Sequence, residues 1–108
     1  MSPVSLEDFK KIDLRVAKVL EVSEIPGADR IWKLTVDLGG EKKEIVAGIK
    51  AFYSRESLLG KTLVVVNNLA PSVIRGVESQ GMLLAAKAEG QFSVLTLDKD
   101  LAPGSPIG

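Results

Sequence analysis

Residues 32–49 read WKLTVDLGGEKKEIVAGI. Trp32, Leu34, Val36 and Leu38 alternate with Lys33, Thr35 and Asp37, and a period of two marks a half-buried strand rather than a helix. Gly39 and Gly40 then supply the backbone freedom of a two-residue hairpin turn. EKKEIVAGI returns as the partner strand. The rest of the fold is read outward from this hairpin.

Upstream, EIPGAD is a loop in which Pro26 and Gly27 give turn geometry and Asp29 can bond its own backbone. Before it, DLRVAKVLEV forms a long strand with Leu14, Val16, Leu20 and Val22 on one parity. Lys18 shares that inner side, so either its stem snorkels outward or a bulge shifts the register. Ser5 can cap a short helix with Leu6 and Phe9 on one face, and Asp8 can reach back to the cap. Downstream, AFYSRESLLG reads as a brief helix with Ser54 as cap and Gly60 just past its end. KTLVVVNN is short and β-branched, which makes it a central strand. NLAPSVIRG is irregular or makes a short edge pairing, since Pro71 cannot donate to a ladder. GMLLAAK and QFSVLTL are the last strands, joined at Glu89 and Gly90, and DLAPGSPIG is an extended or looped tail. Three strands, a short helix, a fourth strand and further strands is the order of an OB-fold. The expected class is therefore all-β: a five-stranded Greek-key barrel with a short N-terminal helix, a short helix between strands 3 and 4, and extra C-terminal strands. The alternative is another small antiparallel barrel or sandwich.

At 108 residues and 45% hydrophobic content, the chain fits one folded domain spanning 1–108. No apolar run approaches the ~20 residues of a membrane span. MSPVSLEDFKK lacks the apolar core of a secretory signal, and its acidic residues argue against a transit peptide. We therefore expect a cytoplasmic protein with no membrane partner. Neither cysteine nor histidine occurs. That removes disulfides, the common zinc ligands, and the Ser-His-Asp and Cys-His arrangements. The carboxylates stand singly or beside lysines, with no pairing for acid–base work. No catalytic residue, metal site or cofactor is expected, and the chain reads as a binding protein. Its 14 basic and 14 acidic residues cancel, nine of each before Arg55 and five of each from Arg55 on. Attraction to phosphate would come from a local patch and not from a polycationic coat.

Against so few polar landmarks, the stretch RGVESQGMLLAA at 75–86 is unusual. It sets a cation, a carboxylate, a hydroxyl and an amide directly before the apolar run from Met82 to Ala86. Ser79 and Gln80 suit phosphate and 2′-hydroxyl contacts, or else satisfy turn carbonyls. Met82 offers a soft thioether to a ribose or base face, or else fills the core. On the surface interpretation Ser79→Ala leaves stability almost unchanged. Gly81 permits a turn or a close approach, and Arg75 is a phosphate fork or the ion-pair partner of Glu78. Trp32 lies on the apolar face of its strand with Leu34 and reads as core, whereas Lys33 is on the face a ligand would meet. Lys42 and Lys43, between Glu41 and Glu44, read as a solvated hairpin tip, and Asp13 and Arg15 as structural partners.

DLRVAKVLEV, PGADRIWKL, EIVAGI, VVVNNLAP and RGVESQGMLLAA, in this order and spacing, resemble the tRNA-binding domain appended to many aminoacyl-tRNA synthetases and found alone as small tRNA-binding proteins. The likeness runs from about Phe9 to the end of the chain. It is to the C-terminal domain, or detached β-subunit, of methionyl-tRNA synthetases in particular. The resemblance implies an OB-fold, a homodimer, no catalysis, and binding to tRNA by its shape near the corner of the L. It implies a tRNA surface at Ser79, Gly81 and Met82, with Gln80 and Asn67 beside it and phosphate contacts from Arg75 and Lys33. Relatives often carry two or three basic residues where PSVIRG has Arg75 alone. The expected dimer interface uses 1–12 and 98–108, through Leu6, Phe9, Leu101, Pro103, Pro106 and Ile107. The partners implied are tRNA, a second copy and a methionyl-tRNA synthetase catalytic chain. The alternative, also from the resemblance, is a chaperone-like module related to bacterial export chaperones.

Overall fold

A computed structural model describes residues 1–108. In chain order its elements are α1 (Leu6–Phe9), β1 (Leu14–Glu24), β2 (Trp32–Asp37), β3 (Lys42–Ala47), α2 (Arg55–Leu58), β4 (Thr62–Val66), β5 (Ser72–Ile74), β6 (Val77–Ser79), β7 (Met82–Leu83), β8 (Ala85–Ala88), β9 (Gln91–Val94) and β10 (Pro106–Ile107). The main sheet runs β3-β2-β1-β4-β7, with β10 added to β1, and the pairings are antiparallel. This is the expected all-β class and strand order of an OB barrel.

The barrel curls because β1 serves two neighbours. Its first half, Leu14–Lys18, pairs with β4, and its second half, Lys18–Glu24, pairs with β2. The register slips between Val19 and Glu21, which places a bulge at Leu20. Ala17, Val19 and Val22 therefore enter the core, while Lys18 and Leu20 face out. The bulge anticipated from Lys18 is present, but Leu20 lies outward with Lys18 by plain alternation, against the parity expected for it, and the slip returns Val22 to the core. Val16 is buried outside the main cluster, where the C-terminal tail runs beside it.

Trp32, Leu34, Val36 and Leu38 all point inward, as their alternation requires, and meet Ile45, Leu63 and Val65. Trp32 donates its indole N–H to the Tyr53 carbonyl at 2.9 Å, so its one polar atom is satisfied. Both short helices begin on the expected serines. Ser5 accepts from the Asp8 amide and Ser54 from the Ser57 amide. The Asp8 carboxylate does not reach back to its cap but pairs with Lys11 at 3.0 Å. Leu58 is fully buried and anchors α2 against the barrel.

Two C-terminal features depart from the sequence expectation. GMLLAAK is not one strand: Met82 and Leu83 pair with β4, then the chain leaves the barrel at Leu84 and β8 pairs with β9 as a separate hairpin. The tail is less free than DLAPGSPIG suggests. Leu14 faces Ile107 and Arg15 faces Pro106, with Val16 donating to the Ser105 carbonyl at 3.0 Å. Pro103 and Gly104 press on the β2–β3 turn, where a Cβ on Gly39 would collide with the Pro103 carbonyl.

Gly39 and Gly27 have nearly the same backbone, with φ of +76° and +78°, but Gly27 has open space around it. Substitution by alanine strains both backbones equally, and only Gly39→Ala must also displace the tail. In urea unfolding, Gly39→Ala is expected to cost about 1–3 kcal/mol more than Gly27→Ala. Equal losses would show that the tail does not pack on this turn.

Candidate nucleic-acid interface

β3 pairs with β2 along one edge, and the N–H groups of Glu44 and Val46 point to the other. No continuous strand covers that edge. Instead the Glu44 amide donates to Gln80 Oε1 at 2.9 Å, the Glu44 carbonyl accepts from the Gln80 amide at 2.8 Å, and the Val46 amide donates to Ser79 Oγ at 3.0 Å. Ser79 Oγ in turn donates to the Gly81 carbonyl at 3.1 Å. Two side chains thus stand in for main-chain ladder bonds and close the barrel between β3 and β7. Gly81 lets the chain enter β7 close against β4, since a Cβ there would lie 3.0 Å from the Val66 carbonyl oxygen and 3.4 Å from Val65.

The seam gathers four of the six predicted contact residues around residues 43–46. Lys33 pairs with Glu44 at 3.4 Å, Gln80 and Ser79 bond the β3 backbone as above, and the Asn67 carbonyl accepts from Lys43 Nζ at 3.0 Å. Asn67 also donates Nδ2 to Asp13 Oδ2 at 3.1 Å, while its Oδ1 is buried without a partner. Met82 follows the seam and is 45% exposed, so it is a surface residue. Ser79 is only 5% exposed, and its hydroxyl is committed to the backbone. The expectation that Ser79→Ala spares stability does not fit that burial.

Arg75 is carried away from the seam by the β5–β6 hairpin, whose two-residue turn is Arg75-Gly76 with φ of +53° and +79°. Positive φ at both central residues is the hairpin geometry that matches strand twist, and Arg75 is the one non-glycine residue to adopt it. Val77 packs against Ile25, Ala28 and Val46, which docks the hairpin on the loop before β2. One hollow is consequently lined by both Arg75 and Arg30, with Asp29 also in its wall. Neither arginine forms an ion pair, so the expected pairing of Arg75 with Glu78 is not made.

Arg30 and Lys43 lie in this region although the sequence does not single them out as contacts. Arg30 carries a weak signal, a cation where a loop enters a strand. Of the expected solvated tip, Lys42 is exposed, whereas Lys43 is half-buried with its ammonium on the Asn67 carbonyl. Asp13 and Arg15 are structural partners as expected, with Arg15 Nε 2.6 Å from Asp13 Oδ1 and its NH1 on the Gly104 carbonyl. The hydrogen bond from Asn67, aided by the Arg15 guanidinium, holds the Asp13 carboxyl below its ordinary value.

The predicted dimer residues are divided. Leu6, Phe9 and Leu101 are exposed, as is their neighbour Ile12, whereas Pro103 and Ile107 are half-buried against their own chain. Pro106 is exposed at the outer edge of the β1–β10 pairing, where its missing N–H does no harm. No helix is long and apolar enough to cross a membrane, and no cluster of three His, Cys, Asp or Glu residues is present.

An OB barrel closed by a side-chain seam, with two arginines lacking ion-pair partners beside its docked hairpin, is the framework of a binding domain. Residues 14–106 match the family model described as "Putative tRNA binding domain", and the chain belongs to that family. It is 48% identical over 104 residues to the methionine–tRNA ligase of Thermotoga maritima, a match covering 96% of this chain and 16% of the ligase. It is 49% identical over 107 residues to the methionine–tRNA ligase of Methanococcus aeolicus, covering 99% of this chain and 16% of the ligase. The chain therefore spans about a sixth of the length of these relatives. Among solved structures it superposes on a MetRS-related protein from Pyrococcus horikoshii with a TM-score of 0.93, 32% identity and full coverage of both chains. It superposes on the chaperone CsaA from Bacillus anthracis with a TM-score of 0.89 and 28% identity, over 99% of this chain and 100% of that one.

Three outcomes follow from the seam and its neighbours. Ser79→Ala leaves the Val46 amide buried and unpaired and is expected to cost about 1–3 kcal/mol in urea unfolding. Met82→Ala should cost less than the ~2–5 kcal/mol of a buried methionine. Asp13, whose folded pKa is depressed, contributes stability above the unfolded carboxylate value of about 4. That contribution is lost as pH falls through its folded value. Melting curves across the acid range should thus fall less steeply for Asp13→Asn than for the wild type.

Proposed function

We propose that this chain is a non-catalytic, structure-specific tRNA-binding module. It increases the tRNA affinity of a methionyl-tRNA synthetase, as part of that polypeptide or as a separate subunit, and works in the cytoplasm as a homodimer. Family membership and the ligase relatives support the tRNA and synthetase parts. The observation that carries the proposal is the pair of arginines without ion-pair partners, Arg30 and Arg75, on one hollow beside the docked hairpin, where Asp29 is the only acid in the wall. Guanidinium groups without carboxylate partners are ready to fork onto phosphate oxygens. Ser79 and Gln80 act by holding the hairpin and Met82 in place, and Met82 gives the apolar contact. A second attachment point raises a synthetase's affinity through effective concentration. The exposed Leu6, Phe9 and Leu101 support association of two copies, since a domain of this size buries its apolar ends poorly.

A chaperone-like module is the second possibility, favoured by the CsaA likeness. A gel-shift titration with unfractionated tRNA, run beside an aggregation-suppression assay, separates the two. For the first, about 3 phosphates should be neutralised, giving a log–log salt slope of magnitude about 2–3. Arg75→Gly, which keeps the hairpin's φ at no cost, should lower that slope by about 1 without lowering the melting temperature. Salt-independent tRNA binding, or suppression of aggregation without tRNA binding, would sink the proposal. Sedimentation at tens of micromolar showing only an 11.5 kDa species would remove the dimer.

A further inference from the structure

A groove of about 430 Å³ runs between the end of β3 and the chain leaving β7, with Met82 and Phe92 among its walls. At Phe92 and Lys87 it continues into a second hollow of about 470 Å³ that includes Phe52 and Gln91. Phe52 and Phe92 stack with centroids 5.2 Å apart and rings inclined by 19°. Phe92 is half-buried, but Phe52 is 49% exposed. One face of Phe52 is occupied by Phe92, and the exposure leaves the other to solvent. Lys87 borders both hollows, holds its ammonium 5.9 Å from the Phe92 ring centroid and has no ion-pair partner. No carboxylate lines either hollow.

A free aromatic face, an unpaired cation beside it, a side-chain amide within reach and no opposing acid together select a ligand that is both flat and anionic. A nucleotide has those properties, and an apolar peptide does not require the cation. We propose that Phe52 is a stacking platform for an unpaired base of bound RNA, with Lys87 taking an adjoining phosphate. Stacking on an aromatic side chain tolerates any base, because every base has a π-face. Met82 lines the same groove, so the platform adjoins the surface proposed to meet tRNA. The inference rests on that assignment in taking the ligand to be RNA.

The test uses a short single-stranded oligoribonucleotide carrying 2-aminopurine, whose fluorescence is quenched on stacking, beside unfractionated tRNA. The proteins are the wild type, Phe52→Ala and Phe52→Trp, each with its melting temperature checked. The wild type should quench the probe, Phe52→Ala should bind it about five- to tenfold more weakly with quenching lost, and Phe52→Trp should restore both. Quenching and affinity unchanged in Phe52→Ala would overturn the platform. So would tRNA binding by a wild type that never quenches the probe, which leaves the tRNA proposal intact. Quenching that depends on Phe52 in a protein with no affinity for tRNA would support the platform and defeat the tRNA proposal instead. Phe52-dependent binding of an extended apolar peptide, without probe quenching, would overturn the platform in favour of a protein ligand.

Discussion

The outer edge of β3 has two main-chain donors, at Glu44 and Val46, and nothing in the sheet order to receive them. An open edge of this kind is a site for unwanted strand pairing, and buried donors without acceptors are costly. Gln80 and Ser79 meet both demands from 36 and 33 residues away. Because a side chain reaches where a strand does not run, the chain can close the barrel and leave it again within a few residues. The polar turn before Met82 is thus a seam. The docked hairpin, the position of Arg75 near Arg30 and the exposure of Met82 depend on it.

A chain with no net charge can still present cations locally. Lys11, Arg15, Lys33 and Lys50 are each matched by a carboxylate within hydrogen-bonding or ion-pair distance. Such pairs add little stability where they are exposed, and each cancels charge only locally. Arg30, Arg75 and Lys87 are among the basic residues with no such partner, and tertiary packing sets two of them beside the docked hairpin and one beside the apolar groove. Net charge is a sum over the surface, whereas a phosphate group responds to its nearest neighbours.

Much of the barrel was legible because its signals are local. Period-two alternation around Gly39-Gly40, β-branching in LVVV and serines at helix starts act within a few residues. Trp32 could be assigned to the core because its neighbours on the same parity are all apolar. The bulge was foreshadowed by Lys18, but its position at Leu20 depends on how β1 divides between β2 and β4. The pairing of Pro106 and Ile107 with β1 involves two residues, too few to show a period. Ser79 and Gln80 were legible as unusual residues but not as a seam, since the chemistry of a hydroxyl and an amide before a strand suits a ligand and a distant backbone equally well. Phe52 and Phe92 meet only in the folded chain, and neither residue's surroundings in sequence announce the other.

Amide hydrogen exchange at Glu44 and Val46 tests the seam most directly. Both amides point away from β2, so only Gln80 and Ser79 can protect them. Slow exchange at both positions, comparable with Ile45 on the β2 side, is the predicted result. Ser79→Ala should then accelerate Val46 selectively, beyond its effect on Ile45. Exchange of Glu44 and Val46 in the wild type at the rate of an open sheet edge would contradict the account, because the barrel would then be unsealed and the turn before Met82 would not hold the surface assigned to it.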